Sequence, residues 1–99
     1  MPQDPSTLVA ELKTSLTQQR FNRVAIHNYC RNAEYFLQHL SERGITLDAV
    51  TPDDVSNYLR LAVRRFRKRH GHPPAPRWEA IPRSGIHALL RHSLKRWPP

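Results

Sequence analysis

Ile26-His-Asn-Tyr-Cys-Arg-Asn-Ala-Glu-Tyr-Phe-Leu-Gln-His-Leu-Ser-Glu-Arg-Gly44 is the stretch on which the fold turns. Its apolar positions, Ile26, Tyr29, Cys30, Ala33, Phe36, Leu37 and Leu40, recur at intervals of three and four, the signature of a helix with one buried face. Gly44 closes it, since glycine takes the positive φ of a helix C-terminus without strain. The predicted helix covers about 22–43, roughly 30 Å, enough to cross a small domain.

Reading outward, Leu8, Leu12 and Leu16 at spacing four predict a packing helix over about 7–17, with Ser6 as its N-cap. Residues 18–22 interrupt the pattern. On the other side, Ile45 to Val50 reads as an extended connector that plugs the base of the core. Thr51-Pro-Asp-Asp54 then starts a helix: a cap, a proline suited to the first position, and two carboxylates at the positive end of the dipole. Val55, Tyr58, Leu59, Ala62, Val63 and Phe66 carry it over about 52–69, to Gly71. The prolines at 73, 74, 76 and 82 predict a basic, proline-rich loop over 70–82. Ile86, Leu89, Leu90 and Leu94 predict a fourth helix over about 83–97. The class is all-α and four-helical, and 99 residues make one domain. The closing Pro98-Pro99 reads as a linker, so the domain is expected to be part of a longer protein.

Charge is distributed unevenly. Residues 1–59 hold five Lys/Arg and seven Asp/Glu, whereas residues 60–99 hold eleven Lys/Arg and only Glu79. Such a surface attracts polyanions, because each neutralised phosphate releases counterions. No apolar run is long enough for a membrane span, and Trp78 and Trp97 are too scattered to build a membrane-lying face, so no membrane partner and a cytoplasmic location are expected. Cys30 has no disulfide partner and is expected to be a buried, inert thiol.

Catalytic patterns are missing. His70 and His72 have no third ligand nearby, His87 and His92 diverge on a helix, and three glycines at 44, 71 and 85 cannot build a phosphate-cradling loop. No metal, cofactor or active site is expected. Instead, polar stripes face away from the apolar ones: Arg20, Arg23, His27, Asn28 and Arg31 at the second helix, and Arg83, Ser84, His87, Arg91 and Lys95 on the fourth. Arg65, Arg67, Lys68 and Arg69 add a basic end to the third helix. Arginine can pair with guanine and asparagine with adenine, while Lys, Ser and His more often hold phosphates, so double-stranded DNA is the expected partner. The alternative is a helical protein-interaction module with a basic surface.

Four segments carry a family resemblance: Tyr29 to Leu40, Arg43-Gly-Ile45, Leu47-Asp-Ala-Val-Thr-Pro-Asp-Asp-Val-Ser-Asn-Tyr-Leu59, and Arg83-Ser-Gly-Ile-His-Ala-Leu-Leu-Arg91. In this order they resemble the N-terminal core-binding domain of tyrosine recombinases, the phage integrase and transposase family. The resemblance implies a four-helix SAM-like orthogonal bundle whose second and fourth helices meet the major groove, with Arg23, Val24 and Asn28 and then Arg83, Ser84 and His87 at the DNA. It further implies a C-terminal catalytic domain in the same protein, which would cleave DNA through a phosphotyrosine intermediate and assemble as a tetramer on paired sites. The present segment would be a monomeric, non-catalytic clamp, lacking the catalytic arginine, the His-x-x-Arg motif and the nucleophilic tyrosine. Two departures are Ala25, where many members have threonine, and the basic segment 64–82, longer than the usual turn.

Overall fold

A computed structural model describes residues 5–94. They form four helices, α1 (Pro5–Gln18), α2 (Arg23–Glu42), α3 (Pro52–His70) and α4 (Ala80–Ser93), with one 3-10 turn at Leu47–Ala49 and no strand among the described residues. The all-α, four-helix class read from the sequence is therefore the observed one.

The helix ends follow local chemistry. The Asn22 side chain accepts a hydrogen bond from the Ala25 amide at 2.8 Å and caps α2. At the other end Gly44 takes φ +68°, the Ile45 amide reaches back to the Leu40 carbonyl at 2.9 Å and the Gly44 amide to Ser41 at 3.2 Å. These two bonds satisfy carbonyls that the last turn leaves open. Thr51 and Asp54 form a reciprocal capping box at the start of α3, with Pro52 in the first helical position.

Several boundaries depart from the sequence reading. Ser6, read as the residue before α1, lies inside it as its second described residue. The Ile45–Val50 connector is compacted by its 3-10 turn, although Val50 is buried and Ile45 and Leu47 pack on the core as expected. The loop is shorter than 70–82, because α4 begins at Ala80 and takes Pro82 into its first turn. A proline is tolerated there since first-turn amides have no intrahelical acceptor, and the Pro82 ring is buried. Lys95 and Trp97, assigned to the fourth helix from the sequence, lie outside the described residues.

The core joins Leu8, Val9, Leu12 and Leu16 of α1, Ala33, Phe36, Leu37 and Leu40 of α2, Val55, Tyr58 and Leu59 of α3, and Ile86, Leu89 and Leu90 of α4. Phe36 is wholly enclosed, and truncating such a ring typically costs ~3–5 kcal/mol. His39 joins the core too: its ring lies 5.0 Å from that of Tyr58, which in turn meets Phe36 edge-on at 5.3 Å. The main packing is α4 against α2, with α1 covering both. A Cβ on Gly85 would meet the Tyr29 carbonyl oxygen at 3.0 Å, so the two helices touch almost backbone to backbone. The far half of α3 leaves the core, and Ala62, Val63 and Phe66 are only half-buried.

Candidate nucleic-acid interface

Arg83, His87 and Arg91 stand one turn apart along α4 and, with Ser84, line a groove of about 570 Å³ against the end of α1. Ser15 and Gln19 of α1 face them across it, and Phe21 and Tyr29, whose rings meet edge-on at 5.6 Å, also line it. No carboxylate lines this groove. Arg83 is tied by one nitrogen to Glu79 at 2.6 Å, an exposed pair one turn back along the helix. The Ser84 hydroxyl donates to the Ala80 carbonyl at 2.8 Å, which leaves its lone pairs outward as acceptors. Burial, reinforced by the Arg91 and Arg83 guanidiniums, pushes the His87 imidazole below its ordinary pKa.

The stripe read along α2 divides between two grooves. Val24 and Asn28 line a shallow groove of about 380 Å³ beside the first turns of α4, together with Ala80, Ile81 and Ser84. Arg23, His27 and Arg31, spaced by four, line the other flank against α1. Ser84 and Tyr29 border both the shallow groove and the groove along α4, so these two form one continuous surface. Arg31 is held by its own helix: its Nε donates to the Tyr35 hydroxyl at 2.9 Å and its guanidinium sits 5.6 Å from the ring centre.

Arg20 occupies the turn between α1 and α2 with φ +63°, a left-handed conformation normally left to glycine. The turn is closed by the Arg20 amide on Thr17 at 3.0 Å and the Phe21 amide on Leu16 at 3.1 Å. That geometry sets Phe21 at the junction of the α1/α2 groove and the α1/α4 groove.

The basic end of α3 belongs elsewhere. Arg65 and Arg69 line a separate groove with Tyr58, Phe66 and Trp78, while Arg67 and Lys68 are exposed and border none of these grooves. Phe66 anchors the following loop through Trp78 at 5.2 Å and His72 at 5.8 Å. The structure therefore brings Val24 and Asn28 of α2 together with Arg83, Ser84, His87 and Arg91 of α4, and separates from them Arg23, His27 and Arg31 on the other flank of α2 and the four residues of α3; Lys95 lies outside the described residues. Ser15, Gln19, Phe21, Tyr29 and Ile81 were not singled out for the site by the sequence reading. Only Phe21 and Ile81 carried a signal, being large apolar residues outside the helical apolar stripes.

Cys30 is half-buried where a fully buried thiol was expected, and it borders the α1/α2 groove. Burial raises its pKa, Lys13 opposes the rise and Glu34 adds to it, so the thiol stays protonated and unreactive near neutral pH. Among the described residues no group of three metal-ligating side chains occurs, and no helix is long and apolar enough to cross a membrane. Protein-family models, curated proteins and solved structures give no match to this chain.

Proposed function

We propose that this chain is a DNA-clamping module, the core-binding part of a tyrosine recombinase, that grips duplex DNA with α4 and the start of α2. The observation that carries the proposal is the continuous surface formed by Arg83, Ser84, His87 and Arg91 with Val24 and Asn28, which no carboxylate lines. Arg91 and Arg83 would neutralise phosphates, and the first turns of α2 and α4, where helix dipoles are positive, add to that attraction. Asn28 is the base-reading candidate. The Leu47 to Leu59 motif, which builds the turn and the capping box leading into α3, supports the recombinase assignment. Strand cleavage, and assembly on paired sites, would fall to a catalytic domain joined to this one.

The test is fluorescence anisotropy of the chain with a labelled random-sequence duplex across a salt series. A clamp of this kind loses affinity steeply with log salt, with a slope of about −0.9 for each phosphate engaged. Absence of binding at low salt would dismiss the proposal.

One observation favours a second reading, a helical protein-interaction module. The groove between α1 and α2, about 830 Å³, has Val9, Ile26 and Cys30 along it and the exposed rings of Phe21 and Tyr35 on its borders. A partner held there by apolar contact would resist the salt that releases DNA.

A further inference from the structure

Four large hydrophobic side chains are exposed among the described residues: Phe21, Val24, Tyr35 and Ile81. Val24, 71 % exposed, and Ile81, 49 % exposed, line the same shallow groove between the first turns of α2 and α4. Ala25 and Ala80 complete its wall, small enough to let a flat edge approach. Its lining is wholly uncharged, while Arg83 and Arg91 stand on the adjoining groove that shares Ser84 and Tyr29 with it. An apolar spot beside those cations matches a methyl group carried close to phosphates. We infer that this groove reads an A·T base pair from the major groove, with Val24 and Ile81 packed on the thymine C5 methyl and Asn28 paired with the adenine.

The inference rests on the DNA-clamp reading and specifies its ligand. Asn28 lies one helical turn beyond Val24 and borders the same groove. Its amide offers a donor and an acceptor together, the complement of adenine N6 and N7, and on an A·T pair those atoms lie beside the thymine methyl in the major groove. The minor groove carries no methyl, so an apolar pair has nothing to recognise there. Ser84 borders the groove with its proton committed to Ala80, and so presents a lone pair that repels guanine O6.

The experiment compares four alternating duplexes of equal length at one salt concentration: A·T, A·U, inosine·cytosine and G·C. Uracil removes only the methyl, whereas inosine·cytosine keeps the minor groove of A·T and takes the major groove of G·C. The expected order is A·T tightest, A·U weaker by about fourfold, the worth of one buried methyl group, and inosine·cytosine weaker by about tenfold or more. In Val24→Ala and Ile81→Ala, both surface changes, the difference between A·T and A·U should shrink towards one. Equal affinity for A·T and A·U, with all duplexes bound, overturns this inference and leaves the clamp standing. Inosine·cytosine binding as tightly as A·T, with G·C weaker, also overturns it by placing the contact in the minor groove. Failure to bind any of the four overturns both.

Discussion

The Tyr29 carbonyl oxygen lies 3.0 Å from where a methyl group on Gly85 would stand, with the Tyr29 Cα and the Asn32 Cβ at 3.1 Å. Since the start of α2 and the face of α4 form the proposed interface, this contact sets the spacing of the surface offered to DNA. Two effects compete in Gly85→Ala. Helix propensity favours alanine by up to ~1 kcal/mol, while forcing a methyl against unyielding backbone costs ~1–3 kcal/mol. The second should win. Urea denaturation is expected to show a net loss of about 1–2 kcal/mol, with duplex affinity reduced as the helices part. A more stable Gly85→Ala protein would refute the close approach.

Arg20 pairs a strained backbone with a charge in the turn between Gln19 and Phe21, which both line the proposed interface. At φ +63° a side-chain-bearing residue gives up about 1 kcal/mol relative to glycine. Arg20→Gly should therefore raise the denaturation midpoint while weakening duplex binding and flattening its salt slope. Opposite signs in stability and binding are what separate a functional charge held under strain from a residue that merely tolerates its turn.

Buried His39 makes the fold sensitive to acid. Burial, then the Arg43 and Arg65 guanidiniums, lower its pKa below the ordinary value of 6.5, more than Glu42 and Asp54 raise it. The folded state thus binds a proton less readily than the unfolded chain, and stability rises with pH across the interval between the two pKa values. The contribution is complete above about pH 6.5 and is lost as pH falls through the folded-state pKa. His87 acts in the same direction. Denaturation midpoints measured from pH 7.5 to 5 should fall, and His39→Gln should shallow that fall; an unchanged profile would show that His39 is not the buried group responsible.

Glu79 restrains the interface electrostatically. The Arg83–Glu79 pair is exposed, so breaking it changes stability by at most about 1 kcal/mol, but it occupies a cation at the proposed DNA surface. Glu79→Gln should raise duplex affinity and steepen the salt slope towards one further phosphate, about 0.9 in the logarithmic plot. Arg91→Ala should lower the slope by a similar amount. If both variants bind as the parent does across the salt series, α4 is not the clamping face.

Much of the fold could be read from residue order because its causes are local. Three-and-four spacing marked the apolar faces of α1, α2 and α4, and Thr51-Pro-Asp-Asp54 and Gly71 marked the ends of α3 to within a residue. The reading failed where two local signals competed. Pro82 argued for loop, yet Ile86, Leu89 and Leu90 bury α4 so well that the helix extends back through the proline, which its first turn accommodates. His39 was passed over because its residue type reads as polar, although it stands on the apolar side of α2 beside Phe36 and Tyr58.

By itself, then, the sequence determined that this protein is all-helical, where α2 ends and where α3 starts and stops, and that its cations crowd the second half of the chain. Hydrogen bonds and spacings within a few residues suffice for those properties. Tertiary structure alone decided which polar residues share a surface. Whether Asn28 shares a groove with Ser84 depends on the angle at which α4 crosses α2, and that crossing is set by a single missing Cβ at Gly85 together with the fit of Ile86, Leu89 and Leu90 into the core. A helical stripe specifies a direction around one axis; only packing against a second helix turns it into a site.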